Sequence, residues 1–363
     1  MEHIQYFMPT KILYGENMVL NNSNLFKQYG NKALIVTGKT SAKKNGSLDH
    51  VTEALEQANI PYFLFDEVEE NPSVKTVEKA SRIGISENVN MIIGIGGGSP
   101  IDAAKAIGVL IKNPEATKED LFLKKQLESI PLIAIPTTAG TGTETTPYAI
   151  LTDYEQKTKR NFSSKVFPEV AILDPQYFKT MPEHVLLHTA VDALSHLVEG
   201  YLTVKANLLS DLLAEQGLKI WGEAIQGIRQ LSLTGADWQR LIMASTIGGM
   251  VIAQTGTSLP HGMGYHLTYF KGIPHGKANG VLMVPYLNLH PNKEKIQNIL
   301  NLLKMNDLEM LNEFLMELLG EKVNLSEEEM EEFALGMVSN QSKLANHPAA
   351  VTKAEIKAMY QAL

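Results

Sequence analysis

The chain has 363 residues, of which 44% are hydrophobic and 20% are charged, and its formal net charge is -8. This length supports a core larger than one domain usually packs. A mildly acidic chain without a basic block is a poor partner for nucleic acid, because such binding depends on Lys and Arg at the phosphates. The absence of cysteine excludes disulfides and thiolate metal sites. Neither a signal peptide at Met1 nor an apolar run near ~20 residues is seen, which predicts a cytoplasmic protein with no membrane partner.

The first half of the chain alternates short apolar runs with amphipathic segments. Each run has four or five mostly branched or aromatic residues and ends at Gly, Pro, Asp or Thr, which is typical of a parallel strand buried on both faces. The runs are 33–36, 62–65, 91–95, 132–135 and 170–173. Helical spacing in segments such as 48–58 and 74–85 then predicts a parallel sheet with helices on its faces.

The second half shows helical spacing with little strand signal. The segments 185–201, 208–228 and 238–253 have apolar residues at helical intervals, and the tail 293–363 indicates several shorter polar helices. We therefore predict an α/β domain over residues 1–180 and an all-α domain over residues 181–363.

A run of three glycines, residues 96–98, follows the apolar run 91–95 directly. Ser99 is a candidate N-cap of a following helix, Pro100 suits its first position, and Asp102 is placed to complete a capping box. Backbone N–H groups at such a helix start bind anions, and a dinucleotide pyrophosphate fits. The alternative is a tight strand–helix turn. The G-x-G-x-x-G pattern is only partly met, and the loop does not follow the first strand, so the site differs from a standard Rossmann domain.

A second loop of small residues, 136–144, follows the next apolar run. It contains four threonines and two glycines, whose hydroxyl and N–H groups suit phosphate and ribose contacts, although a polar turn is an equally good reading. Because the carboxyl ends of parallel strands share one edge of a sheet, both loops are expected to open on the same edge.

The helical half contains a candidate metal site. Asp192 and His196 are four residues apart and lie on one helix face. His261 and His275 each stand beside a glycine in a context that predicts a loop. One carboxylate and three imidazoles suit a divalent first-row metal such as Fe(II) or Zn(II), with a position open for a substrate oxygen.

Spacing alone does not choose among the histidines of the first segment. His184, His188 and His196 follow one another or Asp192 at intervals of four. The histidines without supporting context are expected in the core or on the surface; these are His3, His50, His290 and His347.

Taken together, these segments resemble the iron-containing, or group III, alcohol dehydrogenase family. Its patterns GGGSxxDxxK, TTxGTGxE, DALxHxxE, HG and PHG occur here in the family's order. They are matched at 96–105, 137–144, 192–199, 261–262 and 274–276. The resemblance implies the dehydroquinate synthase-like architecture, an α/β dinucleotide-binding domain followed by an all-α domain.

The resemblance also assigns the site residues. It implies Asp192, His196, His261 and His275 as metal ligands, with Fe(II) as the ion and Zn(II) as an alternative. The implied dinucleotide contacts are Gly97, Gly98 and Ser99 at the pyrophosphate, Thr137 and Thr138 on the nicotinamide side, Lys159 at a ribose, and Asn71.

The coenzyme preference is predicted from the residues that follow the first apolar run. NAD-using members tend to have Asp where this chain has Gly38, and an Asp there would repel a 2′-phosphate. Lys39, Thr40 and Ser41 add a cation and two hydroxyls. We therefore predict NADP, with NAD as the alternative.

One departure from the family leaves the proton path open. Many members have a second His four residues after the first HG-loop His, whereas this chain has Tyr265 there and His266 one position later. Tyr265, His266, water or a ribose hydroxyl are the candidates for proton transfer.

The predicted function is hydride transfer between NADP(H) and a small, primary alcohol or aldehyde on a divalent metal, by a homodimer. The generally apolar helical half favours small aliphatic substrates. The alternatives are a glycerol dehydrogenase-like enzyme, a cyclising lyase of the dehydroquinate synthase type, and a nucleotide-binding regulatory protein without activity, which the four candidate ligands disfavour. The helical half shows no Lys and Arg cluster for a phosphorylated substrate, which disfavours the lyase.

Overall fold

The computed structural model describes residues 4–320 and 322–363, so His3 lies outside the described residues. The chain forms two compact units. One comprises residues 8–182, and the other comprises residues 183–363 with the N-terminal segment that ends at Phe7.

The first unit is an α/β fold. Its strands are β1 (Lys11–Tyr14), β2 (Ala33–Gly38), β3 (Tyr62–Val68), β4 (Met91–Gly96), β5 (Leu132–Pro136), β6 (Ile150–Asp153), β7 (Thr158–Asn161) and β8 (Val170–Leu173). Its α-helices are α1 (Met18–Asn21), α2 (Ser41–Lys44), α3 (Ser47–Gln57), α4 (Val74–Ser86) and α5 (Gly98–Lys112), and short 3-10 turns lie at Ser23–Gln28, Asp120–Phe122, Thr143–Thr145 and Pro175–Phe178.

Six of these strands form one parallel sheet in the order β1-β8-β5-β4-β2-β3. The five predicted strands are confirmed as β2, β3, β4, β5 and β8. Strands β4, β5 and β8 are buried along their whole length, which explains their unbroken apolar character. The sequence did not predict β1 or the antiparallel hairpin β6–β7.

The parallel direction of the sheet decides where the predicted loops lie. The carboxyl ends of β2, β3, β4 and β5 all reach the same edge. Gly38 ends β2, Asn71 follows β3, the glycine run follows β4, and Thr137 follows β5. Four separate stretches of the sequence are thereby placed along one edge of this unit.

All the secondary-structure elements described in the second unit are helices, as predicted. Its helices are α6 (Glu183–Leu202), α7 (Leu208–Glu223), α8 (Ile225–Arg229), α9 (Gly235–Thr255), α10 (Leu259–Lys271), α11 (His275–Val281), α12 (Met283–Leu289), α13 (Lys293–Leu302), α14 (Leu308–Leu319), α15 (Glu327–Ser339), α16 (Gln341–Leu344) and α17 (Lys353–Gln361). Asn207 and Thr234 begin α7 and α9 with capping boxes, in which side chains satisfy the first free N–H groups.

The N-terminal segment is fastened to the helical unit by one glutamine. The Phe7 N–H donates to Gln254 Oε1 at 3.0 Å, and Gln254 Nε2 donates to the Phe7 carbonyl at 2.7 Å. In the part of the chain that the structure describes, none of the helices is both long and apolar enough to cross a bilayer.

Candidate functional site

Four side chains of the helical unit converge at one point. Asp192 Oδ1 lies 3.7 Å from His261 Nε2 and 3.7 Å from His275 Nε2. Among the described residues, these three offer ligand atoms within 4.8 Å of one another. His196 joins them through His261, since their Nε2 atoms are 2.9 Å apart and their rings stack with centroids 4.6 Å apart.

The two downstream histidines were expected in loops, and that expectation is wrong. His261 lies in the first turn of α10, which has proline at its start, and His275 is the first residue of α11. The glycine after each histidine suggested a loop, but each is required for packing instead. A Cβ on Gly262 would lie 2.8 Å from Met337 Sδ, and one on Gly276 would lie 1.8 Å from the His188 carbonyl oxygen.

The missing side chain at Gly276 brings His275 to Asp192. It lets the start of α11 rest on the backbone of α6 at His188, one helical turn before Asp192. A Cβ there would also lie 3.2 Å from the Cβ atom of Asp192. The close helix–helix approach therefore sets the separation of two candidate ligands.

Glu199, a buried acid on α6, orients the His261 ring. Glu199 Oε1 accepts from His261 Nδ1 at 2.5 Å, while Oε2 accepts from the backbone N–H groups of Ser258 at 2.7 Å and His261 at 3.4 Å. A proton held on Nδ1 leaves a lone pair on Nε2, the atom that lies 2.9 Å from His196 Nε2 and 3.7 Å from Asp192 Oδ1. This is the tautomer that a metal ligand needs. Sequence reasoning quoted Glu199 as part of a pattern but gave it no role.

Asn279 also belongs to this site and was not predicted. Its Nδ2 donates to Asp192 Oδ1 at 3.0 Å and lies 3.1 Å from His275 Nε2. Asn279 is buried on α11, four residues after His275. Asn279 could have been predicted from its spacing, because it follows His275 by one helical turn, as His196 follows Asp192.

The electrostatics keep the Asp192 carboxylate charged. Burial acts to raise its pKa, but His196, His275, His261 and the Asn279 amide together outweigh burial and hold the pKa below its ordinary value. One buried carboxylate and three imidazole nitrogens, with one imidazole tautomer fixed from behind, form a donor set that fits Fe(II) or Zn(II).

The alternative histidines of α6 lie outside this cluster. The rings of His184 and His188 contact each other with centroids 6.3 Å apart, and burial lowers the pKa of His188. Among the described residues, neither shares the ligand grouping of Asp192, His261 and His275.

Tyr265 and His266 occupy different surroundings. The Tyr265 ring stacks on His275 with centroids 6.0 Å apart and an interplanar angle of 22°. The His266 ring stacks on Phe333 at 5.5 Å, and its Nε2 atom lies near Gly336. Of the two candidates for proton transfer, Tyr265 is therefore the one in contact with the metal-ligand cluster.

In the α/β unit, the two predicted loops pack against each other. A Cβ on Gly97 would lie 3.1 Å from Thr138 Oγ1, and one on Gly98 would lie 2.7 Å from Thr141 Cγ2. The Thr137 N–H donates to the Gly96 carbonyl at 2.8 Å. The glycines thus let the threonine loop approach the start of α5, where backbone N–H groups of a helix N-terminus suit a pyrophosphate.

The expected capping box at this helix is wrong. The N-cap is Gly97, without a side-chain cap. Ser99 Oγ instead accepts from the Asn71 N–H at 3.1 Å, and Lys159 Nζ donates to Asn71 Oδ1 at 2.8 Å. Three predicted dinucleotide contacts, Ser99, Asn71 and Lys159, are thereby brought into one network.

Asp102 and Lys105, both on α5, hold the threonine loop through hydrogen bonds. Asp102 accepts from Thr143 Oγ1 at 2.5 Å and from the Ile150 N–H at 2.8 Å. The fully buried Lys105 ammonium donates to the carbonyls of Thr143 at 2.8 Å, Thr146 at 2.9 Å and Tyr148 at 2.6 Å. Burial lowers the pKa of Lys105 to about 8, although Asp102 and Glu144 act against that shift.

The residues predicted to select the coenzyme lie at the carboxyl end of β2. Gly38 has room for a small side chain, since an added Cβ would have the Val68 carbonyl as its near neighbour at 3.4 Å. Thr40 precedes the short helix α2, and Lys43 of that helix pairs with Asp66 at 2.5 Å. This end of β2 is therefore open and contains no acid on the strand itself.

Comparison with known proteins matches both units to one family. The model of the iron-containing alcohol dehydrogenase family matches residues 9–175, and the model of its C-terminal domain matches residues 186–363. The chain belongs to the iron-containing alcohol dehydrogenase family. The prediction of an enzyme of the alcohol dehydrogenase class, with this α/β and helical architecture, is confirmed.

Individual relatives in this family support the same placement. An iron-containing alcohol dehydrogenase of Thermotoga maritima has a crystal structure that aligns with a TM-score of 0.91 and 41% identity over 99% of both chains. NADPH-dependent butanol dehydrogenase of Clostridium saccharobutylicum is 31% identical over 83% of this chain and 77% of its own. Lactaldehyde reductase of Escherichia coli K12 is 35% identical over 69% of this chain and 66% of its own.

Proposed function

We propose that the chain is an iron-dependent alcohol dehydrogenase or aldehyde reductase that uses NADP(H) and acts on a small primary alcohol or aldehyde. The observation that carries this proposal is the buried convergence of Asp192, His196, His261 and His275, with Glu199 fixing one imidazole tautomer. The family match makes the alcohol dehydrogenase reading stronger than the glycerol dehydrogenase-like or cyclising-lyase alternatives.

The four converging side chains would hold Fe(II), which supplies Lewis acidity toward the substrate oxygen. The protein's own contribution is orientation. Glu199 keeps His261 in one tautomer, Asn279 holds the Asp192 carboxylate, and Gly276 lets His275 approach. The partly exposed side of the cluster is at His275, whose side chain is 27% exposed, and substrate would enter there.

The coenzyme would be held by Gly97, Gly98 and Ser99 at the pyrophosphate, with Thr137, Thr138, Asn71 and Lys159 lining the remainder, and it supplies or accepts the hydride. The 2′-phosphate would sit at the end of β2, against Gly38, Lys39, Thr40 and Ser41. An NADPH-dependent relative supports this preference.

For the proton, we assign Tyr265 in preference to His266. Tyr265 stacks on a candidate ligand, whereas His266 packs among Phe333 and Gly336. Tyr265→Phe retains the ring contact and removes the hydroxyl, so it should reduce turnover at neutral pH and leave metal binding unchanged.

The function is tested by loading the purified chain with iron under anaerobic conditions and following NADPH oxidation with short aldehydes. We expect one metal per chain and a preference for NADPH over NADH of at least about tenfold in kcat/KM. Absence of turnover with every aldehyde tested, despite bound iron, would refute the proposal.

The coenzyme assignment is tested separately by two substitutions at one position. Gly38→Asp places a carboxylate against the 2′-phosphate and should reverse the preference toward NADH, while Gly38→Ala adds only a methyl group and should retain the NADPH preference. Equal effects of both substitutions would contradict a charge-based selection.

We further propose a cytoplasmic homodimer. Aliphatic side chains at the start of α7 are largely exposed in the single chain, namely Val204, Leu208, Leu209 and Leu212. Several exposed aliphatic side chains within residues 204–212 support an association surface. Light scattering after size exclusion would measure the mass directly, and a monomer at micromolar concentration would contradict this assignment.

A further inference from the structure

Lys343 places a positive charge beside the open side of the candidate metal site. It lies on α16, and its Nζ atom is 6.0 Å from the centre of the Tyr265 ring, which itself stacks on His275. Its Cγ atom packs against the backbone at Gly262, directly after His261. Lys343 is half-buried as a whole residue.

The segment around Lys343 is held firmly in this position. Asn346 Nδ2 donates to the carbonyls of Thr255 at 3.2 Å and Thr257 at 3.0 Å, on the loop that precedes α10. The Val204 N–H donates to the Asn346 carbonyl at 3.1 Å. The chain segment that carries Lys343 is therefore tied by hydrogen bonds to the loop before α10.

The hydrogen-bonding capacity of this ammonium group is not filled by the protein. Lys343 Nζ donates to Thr257 Oγ1, and it forms no ion pair with a carboxylate of the described residues. An ammonium group has three donors, so two directions remain for a ligand. Glu199 attracts Lys343 electrostatically, but its oxygens already accept from three N–H groups.

The charge balance also favours an anion here. A divalent ion held by Asp192 and the three imidazoles would add positive charge near Lys343. Lys205 lies close enough to add repulsion. Binding of an anion beside the ammonium group of the half-buried Lys343 is favourable, because the low local dielectric strengthens the attraction between opposite charges.

We propose that Lys343 binds a carboxylate of the substrate, so that the preferred substrate is a short aldehyde, or the corresponding alcohol, that carries a carboxylate group. This inference rests on the proposed function. One ammonium group with two remaining donors matches the two oxygens of a single carboxylate, whereas a phosphate dianion would require more donors than this place offers. The inference contrasts with the small aliphatic substrate expected from the apolar composition of the helical half.

The test compares two aldehydes of equal length, 4-oxobutanoate and butanal, in NADPH oxidation by the iron-loaded enzyme. We expect kcat/KM for 4-oxobutanoate to exceed that for butanal by about 10- to 100-fold, as a charge-assisted hydrogen bond allows. Lys343→Met should abolish this preference by lowering kcat/KM for 4-oxobutanoate to the level of butanal, and Lys343→Arg should retain most of it. Lys219→Met, which removes an exposed charge from α7, is the matched control and should change nothing.

A binding measurement without turnover gives a second readout. Calorimetry with 4-hydroxybutanoate should show binding to the iron-loaded wild-type enzyme and about tenfold or greater weakening in Lys343→Met, with metal content and circular dichroism unchanged. Should the variant fail to fold, the wild-type preference between the two aldehydes decides alone. A wild-type preference for butanal, or an equal loss on both aldehydes in Lys343→Met, would overturn this inference and leave the proposed function intact. Failure to reduce any aldehyde would instead refute the proposed function.

Discussion

Replacing Gly276 with alanine tests whether one close helix–helix approach sets the metal site. The added Cβ would meet the His188 carbonyl oxygen at 1.8 Å, and real Cβ atoms essentially never approach closer than 3.0 Å. The obstacle is backbone on both sides, so no side chain can rotate away. The start of α11 would therefore have to move from α6 by more than about 1 Å, several times the ~0.2 Å within which metal–ligand distances vary.

The expected consequence falls on metal affinity more than on folding. Alanine favours a helix by about 1 kcal/mol over glycine, which partly offsets an overpacking cost of about 1–3 kcal/mol. Loss of a residue that hydrogen-bonds to a metal ligand typically weakens metal affinity by about 10- to 100-fold. Displacement of the ligand itself should weaken it at least as much, so we expect metal affinity to fall by about 100-fold or more. At saturating metal this removes about 2.7 kcal/mol of the stabilisation that metal binding gives to the folded state.

The assay is chelator competition with Co(II) or Zn(II), together with thermal unfolding with and without metal. Gly235→Ala is the matched control, because an added Cβ at that position meets nothing within 4 Å. We expect it to bind metal as the wild type does. If Gly276→Ala bound metal with wild-type affinity, the packing argument for the position of His275 would be wrong.

Three further predictions concern the buried residues Glu199, Lys105 and His347. Glu199→Gln should weaken metal binding by about 10- to 100-fold in chelator competition while the unfolding temperature of the metal-free protein changes little, because it removes only the charge behind His261. Lys105→Met should lower the free energy of unfolding in urea by about 3–5 kcal/mol, since Asp102 and three carbonyl groups lose their cation; a change below about 1 kcal/mol would contradict that role. Burial, and next to it the charge of His290, lower the pKa of His347 to about 4 in the folded state, while Glu355 acts in the opposite direction. The unfolded chain therefore binds the proton first. The contribution of His347 to stability should be constant above about pH 6.5 and fall by up to about 1.4 kcal/mol per pH unit between about pH 6.5 and 4, a slope that His347→Asn should reduce in the metal-free protein.

The sheet was predictable where burial was complete on both faces. Strands β4 and β8 are short unbroken apolar runs that are buried along their whole length. A run this short and this apolar is typical of a strand covered on both faces. Strand β1 lies at the sheet edge, and its apolar run is only Ile12, Leu13 and Tyr14, which is too short to predict a strand by itself. The β7 strand, Thr158–Asn161, consists of polar and charged residues whose pairing with β6 decides its conformation. Edge strands and hairpins take their structure from neighbours that the local sequence does not reveal.

The candidate metal site shows the same division. Helical spacing placed Asp192 and His196 on one face, but it could not reject His184 or His188, and only the resemblance did so. The role of Gly276 was invisible in the sequence, because a glycine beside a histidine also suits a loop. Lys343 was equally invisible, since it is separated from the other site residues by many positions and approaches them only through the packing of α16.

The tie between Phe7 and Gln254 has a consequence for how the chain can be divided. The first segment of the polypeptide completes a unit whose remaining residues begin at position 183. A gene cut between codons 182 and 183 would therefore yield a C-terminal fragment without the segment that ends at Phe7 and contacts Gln254. A circular permutant with its new ends at 182 and 183 should retain that segment.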